Sequence, residues 1–114
     1  MAAIANLRID QGATFTSDVN VADINGDAFD LTGYTASAKM AKGYASTRTR
    51  TSITTTINSD PTTGIITLTL TADQTNALDA PARYVYDVEI TQTSDSTITR
   101  VIEGIITVSP SVTI

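Results

Sequence analysis

The chain has 114 residues and a mass of 12.0 kDa, which is enough for one domain with a modest core. It contains no His, no Cys and no Trp, which excludes Ser-His and Cys-His nucleophilic pairs, metal ligation by imidazole or thiolate, and disulfides. The 12 Asp and Glu outnumber the 7 Lys and Arg, and the resulting net charge of -5 disfavours binding to nucleic acid. We therefore expect a single domain, 1–114, that is not an enzyme and uses no cofactor or metal.

Threonine is the most unusual feature of the composition. The chain has 22 Thr and 9 Ser, so 31 of its 114 residues carry an aliphatic hydroxyl group. β-Branched Thr fits the pleated, half-solvated face of a sheet, which favours strands. The longest apolar stretches, such as 104–108, are far shorter than the roughly 20 residues that span a bilayer. The first residues have neither the basic nor the apolar region of a signal peptide, so we expect synthesis in a cytoplasm and no membrane partner.

The predicted strands are segments in which apolar and polar residues alternate, so that each strand has one apolar face. In chain order, the apolar positions of these strands are Leu7, Ile9, Phe15, Val19, Val21, Phe29, Leu31, Ala36, Ala38, Met40, Ile53, Ile57, Ile66, Leu68, Leu70, Tyr84, Tyr86, Val88, Ile90, Ile98, Ile102, Ile106 and Val108. Asn25 and Gly26 predict a hairpin turn, and 58–64 is a dense run of turn-forming residues. A bulge or bend is predicted at Glu103 and Gly104, between the last two strands.

One short helical turn is predicted near 71–78. Thr71 and Gln74 have the spacing of a capping box, and Pro81 ends the run. The segment 42–51 has no clear period and predicts a long connection or a ragged edge. Seven or eight short strands at spacings of about 8–14 residues indicate an all-β fold, either an antiparallel sandwich or a barrel, and we favour the sandwich of two sheets.

Four segments of the chain resemble one group of proteins. They are 27–35 (DAFDLTGYT), 63–71 (TGIITLTLT), 82–90 (ARYVYDVEI) and 103–108 (EGIITV). This pattern resembles the immunoglobulin-like β-sandwich virion proteins of tailed bacteriophages, and it is similar to the amino-terminal domain of baseplate upper proteins and to small structural proteins of marine T4-like phages. The resemblance covers most of the chain, from Leu7 to Val108.

The resemblance implies a fold, a location and partners. The fold is an antiparallel immunoglobulin-like β-sandwich, and the implied role is that of a non-enzymatic structural protein of the virion, made in the host cytoplasm. Present in many copies, such an accessory subunit would decorate the capsid or belong to the neck, tail or baseplate. Its partners would be other virion proteins and copies of itself. The resemblance implies no catalytic residue and no cofactor.

The distribution of charge singles out one stretch of the sequence. Between residues 31 and 59 the chain has no acid and four cations, so this stretch carries +4 and the remainder carries -9. The four cations are Lys39, Lys42, Arg48 and Arg50. One hypothesis is that 42–51 forms a basic loop that docks on an acidic protein surface, with charge complementarity setting the register. The alternative, given equal weight, is that Arg48 and Arg50 protect an exposed strand edge against strand addition.

Two further features bear on binding. Tyr44 lies within the same basic stretch. The alternative to a structural role in the virion is a glycan- or receptor-binding module, in which Tyr44 and the basic loop would form the contact. Ile4, Val112 and Ile114 are apolar residues outside the predicted strands, in segments 1–5 and 109–114 that we interpret as assembly-contact arms. One interpretation is that a neighbouring subunit holds these arms by strand addition. The other interpretation, given equal weight, is that the arms pack back on their own domain.

Two acidic patterns suggest sites on first inspection. Segment 23–27 has alternating oxygen ligands, but Tyr34 stands where a calcium loop has its twelfth-position Glu, so we expect a plain turn. Asp87 and Glu89 lie about 7 Å apart along one strand face, a separation compatible with a catalytic carboxylate pair. Because acidic residues are usually exposed, we expect a solvated strand face there.

Overall fold

The computed structural model describes residues 3–45 and 49–112. Arg48 and Ile114 lie outside these described residues. Within the described ranges there are eight strands, one short α-helix and one 3₁₀ turn at Pro61–Thr63. The strands and the helix, in chain order, are β1 (Ala3–Ile4), β2 (Leu7–Asp10), β3 (Phe15–Asn20), β4 (Tyr34–Ala41), β5 (Thr51–Ile57), β6 (Ile65–Leu70), α1 (Ala72–Asn76), β7 (Ala82–Gln92) and β8 (Ile98–Ser109).

These strands form one curled, mixed sheet. The strand order is β1-β8-β7-β4-β5-β6-β3, and β2 also pairs with β8. Strand β5 links the two halves, because its residues up to Ile53 pair with β4 whereas those from Thr54 onward pair with β6. Where β5 leaves β4, the hydroxyl of Thr55 donates a hydrogen bond of 3.0 Å to the carbonyl of Ala36. The all-β prediction is confirmed, and the sheet curls around its core at β5.

The amino-terminal strands run in a direction that the sequence did not predict. Five of the strand pairings are antiparallel, as expected. Strands β1 and β2 instead run parallel to β8, with Ile4 opposite Glu103 and Leu7 opposite Ile106. The prediction of a wholly antiparallel architecture is therefore wrong for this segment. Alternation of apolar residues has the same period in parallel and antiparallel strands, so it carries no information about direction.

The core lies on the concave side of the curl. Its most deeply buried members come from five strands and the segment before β4, and they are Ile9, Leu31, Met40, Ile66, Leu68, Leu70, Val88, Ile90, Ile102, Ile106 and Val108. Tyr84 and Tyr86 are also buried on the core face of β7. The buried residues alternate along β6 and β7, so each of these strands has its predicted apolar face inward.

Strand β8 is continuous where a break was predicted. Gly104 pairs with Tyr86, and the register shift lies earlier in β8, where Val101 has no partner between the pairs Val88–Ile102 and Glu89–Arg100. The prediction of a break between two strands at Glu103 and Gly104 is therefore wrong, and the predicted bulge lies instead at Val101. A Cβ atom at residue 104 would lie 2.2 Å from the carbonyl oxygen of Ala5, so glycine is required there because the amino-terminal segment crosses β8 closely.

The predicted helical turn is present as α1. The hydroxyl of Thr71 accepts a hydrogen bond from the N–H of Gln74 at 3.2 Å, and the side-chain oxygen of Gln74 accepts one from the N–H of Thr71 at 2.8 Å. These two bonds form the predicted capping box. The helix holds Thr75, the only fully buried polar residue in the described ranges, whose hydroxyl donates to the carbonyl of Ala13 at 2.8 Å and accepts from the N–H of Gly12 at 3.1 Å.

Replacing Thr75 with Val is expected to lower the free energy of unfolding by about 1 kcal/mol, because the substitution removes the partly buried hydrogen bonds that the Thr75 hydroxyl makes with the backbone of Gly12 and Ala13. Urea denaturation measures this loss. The matched control is Thr35→Val on the exposed face of β4, which is expected to change stability by no more than about 0.5 kcal/mol. Equal effects of the two substitutions would show that the buried hydroxyl has no special role.

Tyr86 gives the fold a dependence on alkaline pH. Its hydroxyl donates a hydrogen bond of 2.5 Å to the carbonyl of Ala5, and burial raises the pKa of Tyr86 to about 12. The folded state therefore favours the neutral phenol, and its contribution to stability is complete below pH 10, the ordinary value, and is lost as the pH rises to about 12. Between pH 10 and about 12, the free energy of unfolding is expected to fall more steeply with pH in the wild type than in Tyr86→Phe. Identical slopes for the two proteins would contradict the raised pKa of Tyr86.

Candidate functional site: the two ends of the sheet

The strand directions divide the loops between two ends of the molecule. Loops 21–33, 58–64 and 93–97 follow strands that run the same way, and they meet at one end, which we call the acidic end. The connection 71–81 and the described part of the connection 42–50 lie at the opposite end. We call 42–50 the basic loop. This division places the charged loops of the chain far apart, although they alternate along the sequence.

Backbone hydrogen bonds join the three loops of the acidic end to one another. The N–H of Val21 donates to the carbonyl of Gly64 at 2.7 Å, and the N–H of Leu31 donates to the carbonyl of Pro61 at 2.9 Å. The N–H of Thr93 donates to the carbonyl of Gly33 at 3.0 Å. The predicted turn at 25–26 also lies here, closed by a bond of 2.8 Å from the N–H of Asp23 to the carbonyl of Asp27. The acidic end is thus one connected surface.

The acidic end contains no Lys or Arg, and its five acids account for a charge equal to the net charge of the whole chain, -5. These acids are Asp23, Asp27, Asp30, Asp60 and Asp95. Hydrogen bonds from the hydroxyl and backbone N–H of Thr32 lower the pKa of Asp30, and hydrogen bonds from Thr97, chiefly its backbone N–H, lower the pKa of Asp95. These two carboxylates therefore keep their charge in moderately acidic solution.

At the acidic end, residues of loop 21–33 and of strands β4, β7 and β8 line an apolar hollow of about 660 Å³. The apolar side chains that line it are Val21, Ile24, Phe29, Tyr34, Ile90 and Val101. The rings of Phe29 and Tyr34 meet edge to face, with centroids 5.4 Å apart. Ile24 is fully exposed. The hollow combines a mainly apolar lining with one acid, Asp23, and a concave apolar surface of this kind is typical of a binding surface.

The basic loop holds three of the predicted site residues in separate local environments. Lys42 forms an ion pair with Asp79, which follows α1. The guanidinium of Arg50 donates hydrogen bonds to the carbonyls of Ala45 at 2.7 Å and Tyr44 at 3.2 Å, so it holds the backbone of these two residues. The side chain of Tyr44 is 81% exposed.

Lys39 lies on the convex face of the sheet, outside the basic loop. It stands opposite Asp87 in the β4–β7 register. Together with Tyr44, Arg50, Asp87 and Glu89 it borders a shallow groove of about 140 Å³. Asp87 also forms an ion pair of 3.3 Å with Arg100. Of the three described cations in 31–59, Lys39 and Arg50 border the same groove, whereas Lys42 pairs with Asp79, so these three do not form a single patch.

The residues proposed for the terminal arms are exposed. Ile4 belongs to β1, where its backbone pairs with Glu103, and its side chain is 75% exposed. Val112 lies beyond the end of β8 and is 99% exposed. The amino-terminal arm is thus partly held by its own sheet, while both side chains remain available to a neighbour.

Sequence reasoning missed the acidic end and its hollow. The relevant acids are scattered over more than 70 residues of sequence, from Asp23 to Asp95. The one pattern that could have identified them is that they occupy every second loop of a chain whose central strands are antiparallel. Such loops meet at the same end of a sheet, so a count of charge by alternate loops would have separated this end from the basic loop.

Neither a metal site nor a membrane-spanning helix is found among the residues that the structure describes. Among residues 3–45 and 49–112 no group of three or more His, Cys, Asp or Glu side chains is arranged to hold a metal ion. No helix in those ranges is long and apolar enough to cross a membrane. The chain matches no protein-family model and no curated protein.

Proposed function

We propose that this chain is a non-enzymatic structural protein of a tailed-phage virion, built as an immunoglobulin-like sandwich and present in many copies. It binds to capsid, neck or tail subunits through protein–protein contacts. Such a subunit stabilises an assembly because it binds the assembled lattice more tightly than it binds free subunits.

The strand order is the observation that carries this proposal. An immunoglobulin domain places strands A, B, E and D in one layer and C, F and G in the other. Here β3, β6 and the second half of β5 are neighbours, as B, E and D are, and β4, β7 and β8 are neighbours, as C, F and G are. The first strand differs, because β2 lies beside β8 instead of β3. The remaining order supports the resemblance found in the sequence.

The surface supports a role in protein contacts. Large apolar side chains lie exposed in several places, among them Ile4, Ile24, Tyr44 and Val112. A connected acidic end and a separate basic loop give the molecule two chemically distinct contact regions. Complementary charges of this kind fix the orientation of a subunit on its neighbours.

Quantitative mass spectrometry of purified particles tests the proposal. The expected result is that the chain is present in many copies per particle, at a constant ratio to the major capsid protein, after extensive washing. The internal control is an abundant host cytoplasmic protein, whose ratio to the capsid protein should fall with each wash. Absence of the chain from the particle, or its removal in parallel with the host protein, would overturn the proposal.

A second function is favoured by the groove beside Tyr44. The exposed ring borders a groove that also contains Lys39, Arg50, Asp87 and Glu89. An aromatic face next to hydrogen-bonding groups is a common arrangement for sugar binding. If the chain is a glycan-binding module, the isolated protein should bind defined glycans on an array, and Tyr44→Ala should abolish that binding. No binding to any glycan would remove this alternative.

A further inference from the structure

The hairpin turn at 23–27 contains the only Asn-Gly pair of the chain, Asn25 and Gly26. Both residues are exposed at the tip of the turn, next to the fully exposed Ile24. A Cβ atom added to Gly26 would have no neighbour within 4 Å, so neither a side chain nor another segment crowds this residue. The peptide nitrogen of Gly26 is therefore poorly shielded.

A peptide nitrogen that follows Asn is a nucleophile for the side-chain carbonyl carbon of that Asn. The attack forms a bond from the nitrogen of Gly26 to Cγ of Asn25 and breaks the bond from Cγ to Nδ2. Nδ2 leaves as ammonia, with a proton that replaces the one lost from the Gly26 N–H. Water then opens the succinimide, either at Cγ to give Asp or at the backbone carbonyl carbon to give isoaspartate. The net reaction consumes water, releases ammonia and involves no oxidation or reduction.

Asn25 differs from two other asparagines in the freedom of its side chain. The Oδ1 atom of Asn6 accepts a hydrogen bond of 3.0 Å from the N–H of Ile105. Likewise, Oδ1 of Asn58 accepts a hydrogen bond of 2.9 Å from the N–H of Asp60. Among residues 3–45 and 49–112, no hydrogen bond holds the side-chain amide of Asn25. Its Cγ is therefore free to turn towards the following nitrogen.

The turn must open locally before the attack, since the N–H of Gly26 donates to the carbonyl of Asp23 at 3.0 Å. The N–H of Asp23 donates to the carbonyl of Asp27 at 2.8 Å. The carboxylate of Asp23 also accepts from the N–H groups of Asn25 and Asp27, at 2.9 and 3.1 Å. All four residues are exposed, and hydrogen bonds at an exposed loop tip open far more readily than those of the core. The turn therefore slows the reaction without preventing it.

We propose that Asn25 is a site of spontaneous deamidation, which alters the acidic end as the protein ages. Either product adds one carboxylate to this end and changes the net charge of the chain from -5 to -6. Isoaspartate also lengthens the backbone by one atom between residues 25 and 26. The added atom disturbs the turn that connects the paired residues Ala22 and Ala28 and that carries Ile24 beside the hollow. Aged copies thus differ from new copies in charge, and those with isoaspartate differ in turn geometry.

Fragmentation mass spectrometry of the full chain, incubated in the folded state in neutral buffer, tests the proposal. Asn25 is expected to deamidate at least about ten times faster than Asn58, because Gly26 leaves the attacking nitrogen less crowded than Ser59 does. Anion exchange should resolve the aged protein as a more acidic peak. Asn25→Asp supplies the standard for that peak, and Asn25→Gln should not form it, since the longer side chain does not form the succinimide.

The denatured chain measures how far the turn protects Asn25. In guanidinium the turn is lost, and the deamidation rate is expected to rise by no more than about tenfold, because the native turn already opens often. A larger rise, or a folded-state rate no greater than that of Asn58, would overturn the proposal. Formation of the same acidic peak by Asn25→Gln would also overturn it, because the reaction would then lie elsewhere. None of these results depends on the particle experiment, since the reaction takes place in the isolated chain.

Discussion

Replacing Gly64 with Ala is expected to lower the free energy of unfolding by about 3 kcal/mol, one of the largest effects of any single methyl group in this chain. Gly64 has φ of +69°, and an added Cβ would lie 2.6 Å from the carbonyl oxygen of Val21 and 3.0 Å from the nitrogen of Phe29. Both contacts are with backbone, so neither can be relieved by a side-chain rotation. The substitution therefore separates loops 21–33 and 58–64, which form the acidic end.

Gly33→Ala is the control that separates backbone strain from collision. Gly33 also has positive φ, +81°, but an added Cβ would have no neighbour within 4 Å. We expect a loss of about 1 kcal/mol, from the left-handed backbone alone. Guanidinium denaturation of both variants provides the comparison. If both variants lose the same free energy of unfolding, the collision of the added Cβ with the backbone of Val21 and Phe29 does not contribute to the loss in Gly64→Ala.

Gly104→Ala is expected to displace the amino-terminal segment from β8 and to cost about 3 kcal/mol. The new Cβ would lie 2.2 Å from the carbonyl oxygen of Ala5, so the segment around Ala5 must move. Two hydrogen bonds report on it directly, from the N–H of Ala5 to Glu103 at 2.9 Å and from the N–H of Ile105 to the side chain of Asn6 at 3.0 Å. Hydrogen exchange at these amides should become much faster.

Tyr86→Phe is the matched control for this substitution. It removes the hydrogen bond to the same carbonyl of Ala5 without adding an atom, so we expect a loss of only about 1 kcal/mol and little change in exchange at the N–H of Ile105. Unchanged exchange protection in Gly104→Ala would contradict the parallel placement of β2 beside β8.

The fold was predictable wherever local pattern and packing agree. Alternation in β6 and β7 predicted their buried faces, and the spacing of Thr71 and Gln74 predicted the start of α1. Close contacts between segments that are distant in the sequence were not predictable, because a sequence pattern does not show which backbone passes near a given residue. For that reason Gly104 suggested a bend, whereas glycine is required at this position because the amino-terminal segment passes close to it. In the sequence Thr75 cannot be distinguished from the exposed threonines. It is buried because α1 packs against the turn between β2 and β3.

The candidate site was predictable only in part. Counting charge along the chain identified the stretch that contains the basic loop, and Tyr44 in that loop is exposed. The same count gave no sign that Lys42 would pair with Asp79, because these residues meet only in the folded chain. The hollow also needed the fold, since Val21, Ile90 and Val101 lie on three different strands or loops and converge at one end of the sheet. Topology thus converts a scattered set of acids into one surface.

Electron microscopy of purified particles tests the central claim, that this chain works as a multicopy structural subunit, most directly. We expect density for a small all-β domain repeated at symmetry-related positions on the capsid, neck or tail, in contact with neighbouring subunits through its exposed ends and arms. Particles from a mutant that lacks the gene should have no density at those positions. If the particles with and without the gene are identical in structure and in protein content, the account is contradicted.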